Sequence, residues 1–330
     1  MRSFIYTISL AVMALSVAPA ASRAEAVQPD ARHQVSIVGN DGLQKVLEAM
    51  MPLVKGAHSS AQYRFVLKGS STGLPALAAG VALFAPITRE ARHAEISGFK
   101  QAKGYEPVAV KVGYAGWGPR QNGKTPTAVY VARSNALEAI SINDLGRVFS
   151  AGSPLGDFNV WGQLGSKGDA AKRRIHLYGL RDDGSFATGL REHLFDNRPY
   201  AARYEPLESY ASVLKAVVAD PYGIAIIGAI KSSDVPRDVR LLPVRDKAGV
   251  LQTPSRQAVA GGAYPLSSGI YFYVDKAPGK PLDPLVKSWL NAALSDEGQS
   301  IIAQQSSTEE GYLPLAPEDL RKERAVLQAM

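Results

Sequence analysis

The chain has 330 residues, 46% of them hydrophobic and 20% charged, with a formal net charge of +7. It contains no cysteine, which excludes disulfides, thiolate metal sites and a lipid-modified cysteine anchor. The length suits two packed domains of about 150 residues each. Basic residues are scattered, with Lys172-Arg173-Arg174 as the one tight run, so a small anion steered by a positive field is expected ahead of nucleic acid.

The amino terminus reads as a secretory signal over residues 1–26. Arg2 precedes an apolar run over residues 4–17, broken only by Thr7, Ser9 and Ser16, and Ala24-Glu25-Ala26 matches an A-x-A cleavage site. No later segment approaches eighteen apolar residues, so the mature chain has no expected membrane span. An exported, periplasmic protein without a lipid anchor follows from these features.

In chain order, residues 35–38 predict a strand and Gly39-Asn40-Asp41-Gly42 a turn. Leu43, Val46, Leu47, Met50 and Leu53 recur at helical spacing and predict a helix over 43–54. A strand over 63–67, the turn Lys68-Gly69-Ser70-Ser71-Thr72-Gly73 and a helix from about Leu74 through Ala79 repeat that order. Strand–turn–helix units predict an α/β sheet with both faces covered, in which ligands bind where strand ends meet helix starts. Beyond a loop over 116–126 come a strand over 128–131 and a helix opened by Ser141 with Asp144 three residues on. A strand over 174–178, the turn Arg181-Asp182-Asp183-Gly184-Ser185 and a helix to about Phe195 follow. Another helix, over 210–219, and a strand over 223–227 complete this block. A third block holds a strand over 269–274 and a helix to Leu294 begun by the N-cap Asp283 and Pro284. Ser295 is expected to cap the last helix.

Two readings compete for the Gly69–Gly73 turn. Small residues at a helix start leave N–H groups and hydroxyls open to an anion. The same residues spell Gly-x-Ser-x-Gly, the nucleophile elbow of serine hydrolases, centred on Ser71. His93, His176 and His193 lie downstream, none in a recognisable motif. The second turn favours the anion. Arg181 can grip two oxygens bidentately, Asp183 can orient its fork, and Ser185 adds a hydroxyl. No histidine or acidic cluster has metal-ligand spacing, and no cofactor is implied.

Several stretches together resemble the phosphate-binding proteins of bacterial phosphate ABC transporters, a branch of the type II periplasmic solute-binding proteins. They are Gly69-Ser70-Ser71-Thr72, Pro75-Ala76-Leu77-Ala78-Ala79-Gly80, Leu177-Tyr178-Gly179 before Arg181, Tyr264-Pro265-Leu266-Ser267, the run from Pro278 to Val286, and Ser295-Asp296-Glu297-Gly298-Gln299. The resemblance implies an α/β, two-lobed fold, each lobe a mixed sheet flanked by helices. Residues 27–127 and 266–330 would form lobe 1, and residues 128–265 lobe 2. It also implies a monomer that captures phosphate or a related oxyanion and passes it to an ABC permease, with no bond made or broken. Carried over residue by residue, Ser70, Ser71, Thr72, Thr88, Arg181, Ser185 and the N–H of Leu43 would contact ligand, with Asp183 supporting Arg181. The chain departs from the family at Gly42 and Thr88, where a threonine and an acid are usual, and at Phe186 and Ala187, where glycine and threonine are usual. Phe186 could then narrow the cleft or stack on an organic ligand. A periplasmic sensor or interaction module with a changed ligand is the second reading, and a secreted hydrolase using Ser71 the third.

Overall fold

The computed structural model describes residues 34–56, 60–116, 126–246 and 248–330. The expected signal segment, most of the 116–126 loop and the side chain of Ser185 lie outside the described residues.

β1 (Gln34–Gly39) runs parallel to β2 (Gln62–Leu67). A 3-10 turn over Asp41–Leu43 separates β1 from α1 (Gln44–Lys55), which buries Val46, Leu47, Met50 and Val54. Leu53, expected on that face, stays 40% exposed. At 100° per residue it is Val54, eleven positions after Leu43, that returns to the inward stripe.

A second 3-10 turn, Ser70–Thr72, opens α2 (Gly73–Ala78). β3 (Ala85–Ile87), α3 (His93–Lys103) and β4 (Val108–Ala115) follow; none of the three is among the elements expected from sequence. The N–H of Leu83 donates to the Ser36 carbonyl and that of Asn40 to the Pro86 carbonyl, both at 2.8 Å, so β1 and β3 lie edge to edge. Gly39 permits this approach, since a Cβ there would stand 2.1 Å from the Pro86 oxygen.

The middle of the chain builds a separate group. Its elements are β5 (Thr127–Ala132), β6 (Ile140–Ser141), α4 (Ile142–Phe149), β7 (His176–Leu180), α5 (Ser185–Leu194), β8 (Tyr204–Leu207), α6 (Tyr210–Ala219), β9 (Gly223–Gly228), β10 (Val239–Leu241), β11 (Val244–Arg245), β12 (Leu251–Gln252) and α7 (Arg256–Ala260). The five-stranded sheet has the order β10-β5-β9-β7-β8, antiparallel from β10 to β9 and parallel from β9 to β8. Ser141 caps α4 as expected, accepting the Asp144 N–H at 3.0 Å. Arg203 staples one end of this group. Its guanidinium donates to the carbonyls of Val148, Phe158 and Ile175 and to Asn159 Oδ1.

The chain then returns. β13 (Ser268–Val274) inserts between β3 and β4, antiparallel to both, and α8 (Pro284–Leu294), α9 (Asp296–Gln304) and α10 (Pro317–Gln328) complete the first group. Ser295 caps α9, but α9 is not the last helix. α10 is not among the elements expected from sequence: half of its residues are charged and it buries only Leu327, so it shows no strong apolar stripe. Trp289 of α8, fully buried, is ringed by Tyr63, Phe65 and Phe84 at 5.3, 6.2 and 5.5 Å between ring centroids. Truncating such a residue costs about 3–5 kcal/mol.

Chain passages between the two groups meet beside the β4–β13 pair, which ends at Ala115 opposite Ser268. There Tyr264, 2% exposed, donates its hydroxyl to the Thr127 carbonyl at 2.6 Å. This bond ties the returning passage to the outgoing one. Among the described residues, no helix is long and apolar enough to cross a membrane.

Candidate functional site

The first turn closes around one hydroxyl. Ser70 Oγ accepts Asn40 Nδ2 at 3.1 Å and the backbone N–H of Thr88 at 3.3 Å. Asn40, 7% exposed, also accepts the Gly42 N–H on Oδ1 at 2.9 Å. The side chain of Asn40 thus joins the ends of β1 and β2, while its backbone N–H and Ser70 Oγ tie both to β3. Sequence reasoning passed over Asn40, although Asn directly after a strand and before Asp-Gly is the composition of a side-chain-closed turn.

The Gly-x-Ser-x-Gly pattern has a structural origin at both glycines. Gly69 adopts φ +120, a conformation that a side chain would strain. A Cβ on Gly73 would lie 2.9 Å from Ala85 Cβ and 3.1 Å from Ile87 Cγ2. Ser71 between them is exposed. The downstream histidines are engaged elsewhere: His93 with Ser97, His176 with Asp220 and His193 with Glu90. None of these contacts reaches Ser71. Two other expected donors are occupied within their own turns. The Leu43 N–H goes to the Asn40 carbonyl at 3.3 Å, and the Thr72 hydroxyl to the Gly69 carbonyl at 2.8 Å.

Arg89, directly after Thr88, turns away into α3. It grips Glu95 with two bonds of 2.6 and 2.8 Å, and Glu95 also accepts the Arg92 N–H at 2.8 Å. Burial pushes the Glu95 carboxyl up, but the Arg89 hydrogen bonds, the Arg92 N–H and both positive charges outweigh it and leave the group below its ordinary value.

In the second turn, Arg181 donates from Nε and an NH2 nitrogen to the two Asp183 oxygens at 3.1 and 2.8 Å. That pairing raises the arginine pKa and lowers that of the aspartate. Both side chains are about two-thirds exposed, at 64% and 65%, so the fork is oriented while its outer N–H edge stays open. The turn rests on tyrosines. Tyr204 donates to the Leu180 carbonyl at 2.5 Å, Tyr200 to the Ala187 carbonyl at 2.8 Å, and their rings stack at 4.2 Å. Phe186, expected as a cleft-narrowing or stacking group, packs instead against the hydrophobic core, and Ala187 is buried. Ser185 opens α5.

The two groups of elements touch just beyond these turns. Glu90 accepts the Tyr271 hydroxyl at 3.2 Å and faces His193 of α5 at 3.6 Å, while Arg92 faces Glu192 at 3.5 Å. Ser185 and His193 are both on α5, so the Thr88–Arg92 segment meets that helix roughly 12 Å along its axis from Ser185. A cavity of about 400 Å³ opens at this contact, lined by His93, Ile96, Ser97, Lys100, Glu192 and His193 among others; none of the turn residues lines it. No group of three His, Asp or Glu among the described residues is arranged to hold a metal.

Two α/β groups crossed twice by the chain, each offering a polar strand-to-helix turn, define a two-lobed receptor fold. A family model described as a PBP superfamily domain matches residues 24–297, and the chain belongs to that superfamily. The phosphate-binding protein PstS of Pseudomonas aeruginosa is 28% identical over 284 residues, covering 85% of this chain and 83% of that protein. The crystal structure of PstS from Borrelia burgdorferi superposes with a TM-score of 0.58 at 16% identity, covering 86% of this chain and 98% of that one. An ABC-type phosphate transport receptor from Vibrio cholerae gives 0.52 at 14% identity, covering 85% and 99%.

Proposed function

We propose that this protein is a periplasmic solute-binding protein that captures phosphate or a closely related oxyanion between two lobes and hands it to an ABC permease. Lobe 1 comprises residues 27–127 and 266–330, and lobe 2 residues 128–265. The observation that carries the reading is the pairing of two prepared turns, the Asn40–Ser70–Thr88 net and the Arg181–Asp183 fork, in a superfamily whose relative here is a phosphate-binding protein. Ser70 donates its hydroxyl proton to the anion while it accepts from Asn40 and Thr88. Arg181 supplies a charged two-pronged grip, pre-oriented by Asp183. Ser71, Thr72, Ser185 and the N–H of Leu43 line the same turns, and Thr88 contributes its hydroxyl. Contacts from both lobes to one ion favour the closed form. The ion leaves as it entered, with no bond made or broken, and the protein acts as an exported monomer.

Calorimetry with inorganic phosphate, sulfate and methylphosphonate tests this. Phosphate is expected to bind with Kd well below about 1 mM, the level at which binding is worth only about −4 kcal/mol. Failure of all three to bind below that level overturns the reading.

A further inference from the structure

The capture of an ion by the two turns leaves the Lys172-Arg173-Arg174 run unused. That run lies at the end of lobe 2 away from the anion seat. β7 and β9 run parallel from a shared starting end, with His176 opposite Gly223. Arg181 follows the far end of β7, about 16 Å away along a strand of five residues. The chain before β7 is fixed at the starting end. The Trp161 N–H donates to the Arg173 carbonyl at 3.0 Å, and the Trp161 indole donates to the Tyr222 carbonyl at 3.1 Å. Val160 and Arg174 form an antiparallel bridge. Two 3-10 turns, Trp161–Leu164 and Gly168–Lys172, pack closely, since a Cβ on Gly162 would stand 2.8 Å from the Ala171 carbonyl oxygen.

On this frame Lys167, Lys172, Arg173 and Arg174 are all exposed. Asp169 is the single acid between residues 167 and 174. Among the described residues, none of the four cations has a carboxylate partner. The acids nearby are engaged elsewhere. Asp220 holds His176, Tyr178 and the Tyr222 N–H, and Asp157 accepts the N–H groups of Gly152 and Ser153. Arg203 feels the surplus charge: burial draws its pKa down, Asp157 opposes this, and Arg174 draws it down further. We propose that this basic ridge is a docking surface for an anionic lipid bilayer, its cations resting among phosphodiester headgroups. Charge complementarity gives the sign of the partner. The class follows from what the ridge lacks: Trp161 and Ile175 turn inward, 1% and 0% exposed, so it offers charge without the apolar centre of a protein interface. A bilayer surface needs only the charge. The seat, at the opposite end of β7, stays open to a free ion while the ridge is engaged.

Co-sedimentation at low ionic strength tests this, with vesicles of phosphatidylcholine alone or mixed equally with phosphatidylglycerol. The parent is expected to bind the mixed vesicles and not the neutral ones. A cation near such a surface is worth about fivefold in binding. Lys172→Gln/Arg174→Gln should therefore lower partition at least about tenfold. Lys280→Gln/Lys287→Gln, which removes the same charge from exposed positions of lobe 1, should change it less than about threefold. If the first variant does not fold, Lys167→Gln/Lys172→Gln decides in its place by the same ratio. Equal losses in the ridge and lobe 1 variants overturn the assignment, as does equal binding to neutral vesicles. A parent that binds poly-glutamate but not the mixed vesicles points to an acidic protein segment and overturns it too. Release by inorganic phosphate beyond that caused by sodium chloride of equal ionic strength would put the headgroups in the seat, and would also overturn it.

Discussion

Replacing Ser70 by alanine separates the anion seat from the nucleophile elbow. The substitution removes one oxygen that accepts from Asn40 Nδ2 at 3.1 Å and from the Thr88 N–H at 3.3 Å. Two neutral bonds of that length, the second of them long, are together worth about 1–2 kcal/mol of stability. For a chain of this size that lowers Tm by roughly 2–3 °C. The effect on ligand is larger, because a hydroxyl bonded to an oxyanion is charge-assisted and worth about 1.5–3 kcal/mol. Loss of that bond weakens phosphate binding about 10–150-fold. Ser71→Ala, at an exposed position with no role in the Asn40–Ser70–Thr88 net, stays within about threefold of the parent. Calorimetric titration of the three proteins decides between the two serines. Equal losses in both variants, or unchanged binding in Ser70→Ala, would refute the assignment of the seat to Ser70.

Arg181→Lys keeps the charge but not the planar fork that Asp183 orients. Phosphate affinity is expected to fall about 10–100-fold with Tm unchanged, since the pair is exposed; a matching loss of Tm would show a structural role instead. Glu95→Gln removes a carboxylate held by Arg89 and the Arg92 N–H and costs about 1–3 kcal/mol at pH 7. Because Glu95 titrates below its ordinary value when folded, its contribution is complete above the unfolded pKa of about 4.3 and is lost as pH falls through the lower folded value. The urea midpoints of parent and variant should therefore converge under strong acid, and a pH-independent gap counts against this. Arg203→Met strips the donors from the carbonyls of Val148, Phe158 and Ile175. It should destabilise the protein by about 3–5 kcal/mol in urea unfolding, with less than about 1 kcal/mol overturning the staple.

Strands and caps were legible where local chemistry suffices. β1, β2, β5, β9 and β13 fall on largely apolar runs, and α4, α8 and α9 begin at the side-chain caps Ser141, Asp283 and Ser295. α3 and α10 were not legible. Each presents mostly polar residues, and their helical state comes from packing on one side together with the ion pairs of Glu95 and Arg324.

Sequence by itself determined the α/β character, the two small-residue turns and the arginine–aspartate fork, because each depends on residues within a few positions of one another. Tertiary structure decided the rest of the site. Asn40 becomes the link between three strand ends only because β1 lies against both β2 and β3. Ser70 becomes the hub of the first turn because Thr88 arrives from β3. Such placements depend on which strands pair, and no local propensity encodes that pairing.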